Sequence, residues 1–278
     1  MLRSEKELGR IAWQLRERTV EMVHNARTGH AAPCMSIAEI MSVLYFDELR
    51  LRPEQPRWPG RDRFVLSKGH AAAIYYAALA KRGFFPESRL MEYRALGSAL
   101  QGHPDMRKCP GVDMTSGSLG NGVSAALGMA LIAKKDALDH RVYCLCGDGE
   151  LQEGIVWEAA MYAGNAGLGN LTLLVDNNGL QSGGSVDRIQ SLGDIGEKFS
   201  SFGWSVQRVD GHDTAELRGA LAAARDCPDR PGVIICHTLK GKGVSFMEGE
   251  YLWHMKAPND AEFAQAMEEL KREEARYV

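Results

Sequence analysis

The chain has no run of about 18 apolar residues that would cross a bilayer, and its first residues, 1–7, lack the apolar core of a secretory signal. It has no block of Lys and Arg either: 33 basic residues stand against 36 acidic ones, for a formal net charge of −3. That balance leaves no basic stripe for a polyanion, so neither nucleic acid nor membrane is expected as a partner. Cysteine is sparse. The six, at positions 34, 109, 144, 146, 227 and 236, show neither metal-ligand spacing nor a disulfide framework, and Cys144 and Cys146 read as reduced, buried strand residues. Linkers, low-complexity tracts and internal repeats are also missing. The expectation is a soluble cytoplasmic protein of one domain over residues 1–278, whose 45% hydrophobic content supplies a full core.

What is present alternates. Leu8, Ile11, Leu15, Val20 and Val23 recur at helical spacing and predict a helix from about 5 to 27, stopped near Gly29. Ser36-Ile37-Ala38-Glu39 reads as a capping box opening a second helix that ends near Leu49. Phe64 to Ser67 reads as a short buried strand, followed by an Ala- and Tyr-rich helix to about Arg82, with further helices at 87–95 and 121–138. Val142 to Cys146 and Leu171 to Val175 are apolar strands joined by one helix. After a Gly-rich loop come a short helix near 194–202, a strand at 204–209, a helix at 214–225 and a last strand at 232–238. Asn259-Asp260 caps a terminal charged helix over about 259–276. Continuous apolar strands alternating with helices predict an α/β fold: a doubly wound, mainly parallel sheet with helices on both faces.

Four patterns carry chemistry. The first is Gly147-Asp148-Gly149, then 28 intervening residues, then Asn178. Taken alone, Gly-Asp-Gly marks a tight turn. Here two parallel strands bring Asp148 and Asn178 to the same sheet edge, where open α/β folds bind ligands, and both offer the hard oxygens that suit Mg²⁺ or Ca²⁺ already held by phosphate. Gly149, without a side chain, lets backbone N–H groups approach a phosphate. The spacing points to thiamine diphosphate. The second pattern is histidine directly after glycine, at His30, His70, His103 and His212. Singly each reads as a capping or hydrogen-bonded structural residue, and His212, within Asp210-Gly211-His212-Asp213, fits a turn best; together they predict a site lined by imidazoles. The third is the Gly-rich loop Thr115 to Gly122, which opens a long helix without the lysine of a Walker loop or the spacing of a dinucleotide fingerprint. The fourth is Lys240-Gly241-Lys242-Gly243 with Trp253-His254 beyond, where lysines reaching phosphate and solvated loop lysines are equally good readings.

In this order the elements resemble the amino-terminal, diphosphate-binding half of transketolase, from about residue 6 to 260. The resemblance rests on Thr28-Gly29-His30, Leu66-Ser67-Lys68-Gly69-His70, Gly102-His103-Pro104, Gly117 to Gly122, Gly147 to Gly154, Asp176-Asn177-Asn178 and His254. It implies the thiamine diphosphate-binding fold of the PP type. It implies that Asp148, Asn178 and the carbonyl of Leu180 bind Mg²⁺, or Ca²⁺ or Mn²⁺ in its place, and that His70, Gly149 and His254 contact the diphosphate. Gly117 and Leu119 would lie along the cofactor, and His30 and His103 would face the sugar near the reacting carbons. Glu153 matches a glutamate at the interface between subunits that joins a hydrogen-bond network around the cofactor. One departure stands at Ala31-Ala32-Pro33-Cys34, where family members carry Pro-Gly or a Gly-rich pair on the substrate side.

The resemblance covers only the first part of a full transketolase. It implies the amino-terminal subunit of a split enzyme, with the pyrimidine-binding (Pyr) domain and its activating glutamate on a separately encoded C-terminal partner, assembled as α₂β₂. The expected reaction moves a two-carbon ketol unit from a ketose phosphate to an aldose phosphate, with neutral imidazoles moving protons. The rivals are another thiamine enzyme (deoxyxylulose-phosphate synthase-like, or a 2-oxoacid dehydrogenase E1 α subunit), a nucleotide-binding Rossmann domain, and a non-catalytic scaffold. The Gly-His sites at 30, 70 and 103 favour the sugar enzyme.

Overall fold

The computed structural model describes residues 3–277; Met1, Leu2 and Val278, included in the readings of the amino terminus and of a 1–278 domain, lie outside them. In chain order the elements are α1 (Glu5–Ala26), α2 (Ala31–Met35), α3 (Ala38–Val43), β1 (Arg63–Leu66), α4 (Ala72–Arg82), α5 (Asn121–Lys135), β2 (Val142–Gly147), α6 (Gly154–Asn165), β3 (Leu171–Asn177), β4 (Leu180–Gln181), β5 (Gly184–Ser185), α7 (Val186–Gln190), α8 (Ile195–Ser201), β6 (Ser205–Asp210), α9 (Thr214–Arg225), β7 (Gly232–His237) and α10 (Asp260–Glu274). Single turns of tighter or wider helix fill in at Leu44–Glu48, Gly69–Ala71, Glu87–Glu92, Gly149–Gln152 and Tyr251–Trp253.

Five strands form one wholly parallel sheet in the order β1-β2-β3-β7-β6, and β4 and β5 form a separate antiparallel pair. Side chains alternate across a strand, so one sheet serves two cores. Phe64, Tyr143, Leu145, Leu174, Ile234 and Cys236 face a core closed by α1, α3, α4 and α9. Val65, Cys144, Cys146, Leu173, Val175 and Ile235 face the other, closed by α5, α6 and α8. The expected α/β sheet with helices on both faces is the fold found, and the six cysteines are free. Among the described residues no helix is long and apolar enough to cross a membrane.

Three local expectations need correction. Ser36 does not cap a helix through Glu39: its hydroxyl donates to Asp176 Oδ2 at 2.8 Å, while Glu39 is taken by Arg16, and Ile37 is the residue that precedes α3. The segment expected to be helical at 87–95 is a tighter turn over Glu87–Glu92 that ends as Tyr93 turns extended. The loop after β3 contains the β4-β5 hairpin and α7, whose strands of two residues are too short to register as a hydrophobic period. Asn259 does cap the last helix, in a reciprocal pair with Glu262.

The parallel register places Gly147 beside Asp176, and Asn177 beside His237. The segments leaving β1, β2, β3 and β7 therefore meet along one edge.

Candidate functional site

A cavity of about 240 Å³ opens at that edge, and its walls come from every one of those exits. Lys68 and His70 follow β1, Asp148, Gly149, Glu150, Gln152 and Glu153 follow β2, Asn178, Leu180, Gln181 and Ser182 follow β3, and Lys240 follows β7; Gly147 at the end of β2 and Pro33, Leu119 and His254 from other segments join them.

Asp148 is 2% exposed. Its carboxylate accepts from the main-chain nitrogens of Gly149 at 2.7 Å and Gly179 at 2.5 Å, which ties the turn after β2 to the turn after β3. Burial first, and the neighbouring charge of Asp176 second, push its carboxyl up to about 6. Asn178 Oδ1 accepts from Leu180 N at 3.0 Å, and the Leu180 carbonyl accepts from Lys240 Nζ at 3.3 Å. Each of these oxygens keeps a second lone pair. A carboxylate raised by burial and by a neighbouring carboxylate, beside an amide oxygen and a main-chain carbonyl, is a hard-oxygen set that fits a divalent cation whose other positions are filled by phosphate or water. Among the described residues no cluster of three or more His, Cys, Asp or Glu forms a metal cage, so this set would depend on those further oxygens.

Cations and imidazoles surround the set. Lys68, 2% exposed, is ion-paired with the fully buried Asp176 and donates to the Pro33 carbonyl at 3.1 Å. Lys240, 1% exposed, lies 2.9 Å from His254 Nδ1; burial, then the charge of Lys68, lowers its ammonium to about 8. His30, His70 and His254 form a triangle with ring centres 5.3, 5.5 and 5.1 Å apart. Burial, reinforced by nearby cations, lowers His30 to about 4 and His254 to about 3, and puts His70 well below the ordinary imidazole value. All three are neutral at physiological pH, so each offers one donor and one acceptor. His30 Nδ1 is buried with no partner.

His103 and Gly117 stand outside this triangle, against each other: a Cβ on Gly117 would meet the His103 ring at 3.3 Å. Their loop packs on the His70 turn, since a Cβ on Gly69 would lie 2.7 Å from Ser116 Oγ and 2.8 Å from Gly117 N. His103 is exposed. Thus His70, Leu119, Asp148, Gly149, Glu153, Asn178, Leu180 and His254 line one cavity, His30 adjoins it through its ring contacts, and His103 and Gly117 sit on the neighbouring loop. His212 stands away from the cavity, bonded to Glu39.

Four residues escaped the reading of the sequence as site residues with roles. Asp176 accepts from Lys68, Ser36, Thr238 and Asn178, and thereby fixes the exits of β1, β3 and β7. Glu150, 3% exposed, accepts from Ser67 Oγ, Gly120 N and Gly147 N, which locks the Gly-rich loop onto the Gly-Asp-Gly turn. Lys68 lies within Leu66-Ser67-Lys68-Gly69-His70, and Lys240 in a Gly-Lys loop that suits solvent as well as phosphate. The available signal was their position: charged residues at or shortly after the carboxyl ends of strands, where the sheet edge collects them.

The model of the family described as "Transketolase, thiamine diphosphate binding domain" matches residues 9–277. A 6-deoxy-6-sulfo-D-fructose transketolase subunit from Clostridium sp. (strain MSTE9) is 42% identical over 261 residues, which cover 94% of this chain and 95% of that protein. An apulose-4-phosphate transketolase subunit from Phocaeicola vulgatus is 37% identical over 92% of this chain and 90% of its own length. Transketolase of Homo sapiens is 42% identical over 244 residues, 87% of this chain but 38% of that longer protein. Among solved structures, the transketolase of Campylobacter jejuni superposes with a TM-score of 0.89 at 32% identity, covering 98% of this chain and 45% of that one. The chain thus spans nearly all of the two relatives named as subunits and less than half of the human and Campylobacter jejuni transketolases, and it belongs to the transketolase family as a thiamine diphosphate binding domain.

Proposed function

We propose that the chain is the diphosphate-binding subunit of a two-chain transketolase, active only with a separate C-terminal subunit that carries the Pyr domain, assembled as α₂β₂. The observation that carries this reading is the convergence, at one sheet edge, of three oxygen donors, two buried lysines and three neutral imidazoles. The naming of the two relatives as transketolase subunits, at matching length, supports the division of labour.

In this proposal Asp148, Asn178 Oδ1 and the Leu180 carbonyl would hold Mg²⁺, or Ca²⁺ or Mn²⁺ in its place, which would supply positive charge for a diphosphate. Lys68 and Lys240 set a positive field for the same group, and His70, His254 and the N–H groups of the turn beginning at Gly149 donate to its oxygens. Thiamine diphosphate, when bound, supplies a nucleophilic carbon and an electron sink for breaking a C–C bond next to a carbonyl. His30 and His103, neutral at working pH, take and return protons at the sugar hydroxyls. Leu119 and Gly117 wall the cofactor. Glu153, exposed at the cavity rim, is placed for a hydrogen-bond network with the partner. The donor is a ketose with an anionic terminus, a class consistent with relatives named for a sulfonated and a phosphorylated sugar.

The test is reconstitution. The chain mixed with its C-terminal partner, Mg²⁺ and thiamine diphosphate is expected to transfer a two-carbon unit from xylulose 5-phosphate to an aldose phosphate, and each of the two chains by itself to transfer nothing. Transfer by this chain alone refutes the division of the enzyme between two chains.

A further inference from the structure

The turn Asp210-Gly211-His212-Asp213 has no part in the function proposed above, yet its histidine is the end of a buried polar chain. Arg16 is fully buried, 4.5 Å from the centre of the Trp13 ring, and makes two bonds of 2.7 Å to the carboxylate of Glu39, itself 4% exposed. Glu39 Oε2 lies 2.9 Å from His212 Nδ1. The other ring nitrogen, Nε2, lies 2.8 Å from the main-chain nitrogen of Leu239. A backbone N–H can only donate, so Nε2 is unprotonated and the ring proton sits on Nδ1, where the carboxylate accepts it. The backbone of the turn is fixed as well: Asp210 Oδ1 accepts from His212 N at 2.8 Å, and Asp213 caps α9. The ring is therefore aimed by its surroundings and has one tautomer.

Leu239 immediately precedes Lys240, the lysine that reaches Leu180 O and His254 in the cavity. The segment carrying it is pinned at several places, one of them the Lys240 carbonyl, which accepts from Gly249 N at 2.9 Å. Thr238 is held by Asp176 Oδ1 and Asn177 O, Gly241 N donates to Ala32 O at 3.1 Å, and between them Leu239 N is held by His212. We infer that His212 is a positioning residue for the cofactor: through the Leu239 N–H it sets the backbone from which the Lys240 ammonium enters the diphosphate side of the cavity. Arg16 and Glu39 are the anchor behind it, so a contact in the core between α1 and α3 is transmitted to the binding site. The inference rests on the reading of the cavity as a diphosphate site.

Two substitutions separate positioning from stability. In His212→Asn the side-chain amide can stand in for Nδ1–H toward Glu39 but leaves Leu239 N without its acceptor. In His212→Gln the terminal oxygen can stand in for Nε2 toward Leu239, and Glu39 loses the imidazole donor while keeping Arg16. Calorimetric titration of the full chain with thiamine diphosphate and Mg²⁺, alongside thermal melts, gives both readouts. The expected result is a split: affinity falls about tenfold in His212→Asn and stays within about twofold in His212→Gln, although the Gln variant has the lower melting temperature because the buried Glu39 has lost a donor. Equal affinities of the two variants, whether both match the wild type or both are weakened, overturn the inference. If the wild-type chain binds neither alone nor together with its C-terminal partner, the diphosphate site itself is refuted and the role of His212 falls with it.

Discussion

Replacing Lys68 with Met removes the ammonium around which Asp176 is buried. Asp176 is fully buried and Lys68 is 2% exposed, and burial alone would push the carboxyl up. Lys68, then the Thr238 and Ser36 hydroxyls, outweigh burial and hold it below the usual carboxylate range. Removing one member of a buried ion pair costs about 3–5 kcal/mol. The bonds from Ser36, Thr238 and Asn178 remain in the variant, which puts the loss near the lower end, about 3 kcal/mol. For a domain of this size that is a fall in melting temperature of roughly 5–10 °C. The pH dependence follows from the sign of the shift. In the wild type the folded carboxyl titrates below the unfolded one, so its contribution is present above the unfolded value and is lost as pH falls through the folded one. In the variant burial is no longer opposed by the ammonium, the folded carboxyl titrates above the unfolded one, and stability is regained as pH falls toward about 3.9. Urea unfolding at about pH 7.5 and about pH 5 is then expected to show the larger deficit at the higher pH. A deficit below about 1 kcal/mol, or one that is the same at both pH values, refutes the assignment of Lys68 as the counter-ion on which the sheet edge depends.

Two further outcomes follow from the same geometry. Because His30 is lowered to about 4 when folded, its proton is taken up preferentially by the unfolded chain, so its contribution to stability is complete above pH 6.5 and is lost as pH falls toward 4. Wild type is expected to lose about 1 kcal/mol more than His30→Asn between about pH 7 and pH 5, after allowance for screening by water in the cavity, and parallel unfolding curves would contradict this. A Cβ at Gly122 would lie 2.5 Å from Ser67 Oγ and 2.7 Å from Ser67 Cα, so Gly122→Ala must push α5 away from the exit of β1. The expected cost is about 1–3 kcal/mol, together with weaker cofactor binding because Ser67 holds Glu150 and Glu150 holds Gly120. An unchanged melting temperature would show that the contact relaxes freely.

Most of the sheet was legible because four of its strands are largely apolar runs ended by turn chemistry, as at Leu171 to Val175 before Asp176-Asn177-Asn178, whereas the edge strand β6 mixes Val206 and Val209 with polar residues. The site was legible where its residues fall in one supersecondary unit, as Asp148, Gly149 and Asn178 do. Lys68 and Asp176 are 108 positions apart, and nothing local announces that β1 and β3 flank β2; only the strand order brings their exits together. The Ser36 pattern misled for the same reason: Ser-x-x-Glu is a cap when its side chains have no better partner, and here a buried aspartate and a buried arginine took them. His212 reads as a turn residue because Asp210 and Asp213 make it one; its second role depends on Glu39 and Leu239, which arrive from other elements.

The most direct measurement is a calorimetric titration of thiamine diphosphate into the full chain, with and without Mg²⁺, for the wild type and Asp148→Ala. Saturable binding by the wild type only when Mg²⁺ is present, and its loss in Asp148→Ala, are the results the account predicts. Binding of equal affinity without the cation, or in the variant, would contradict the claim that this sheet edge holds the diphosphate through a metal at Asp148, Asn178 and Leu180.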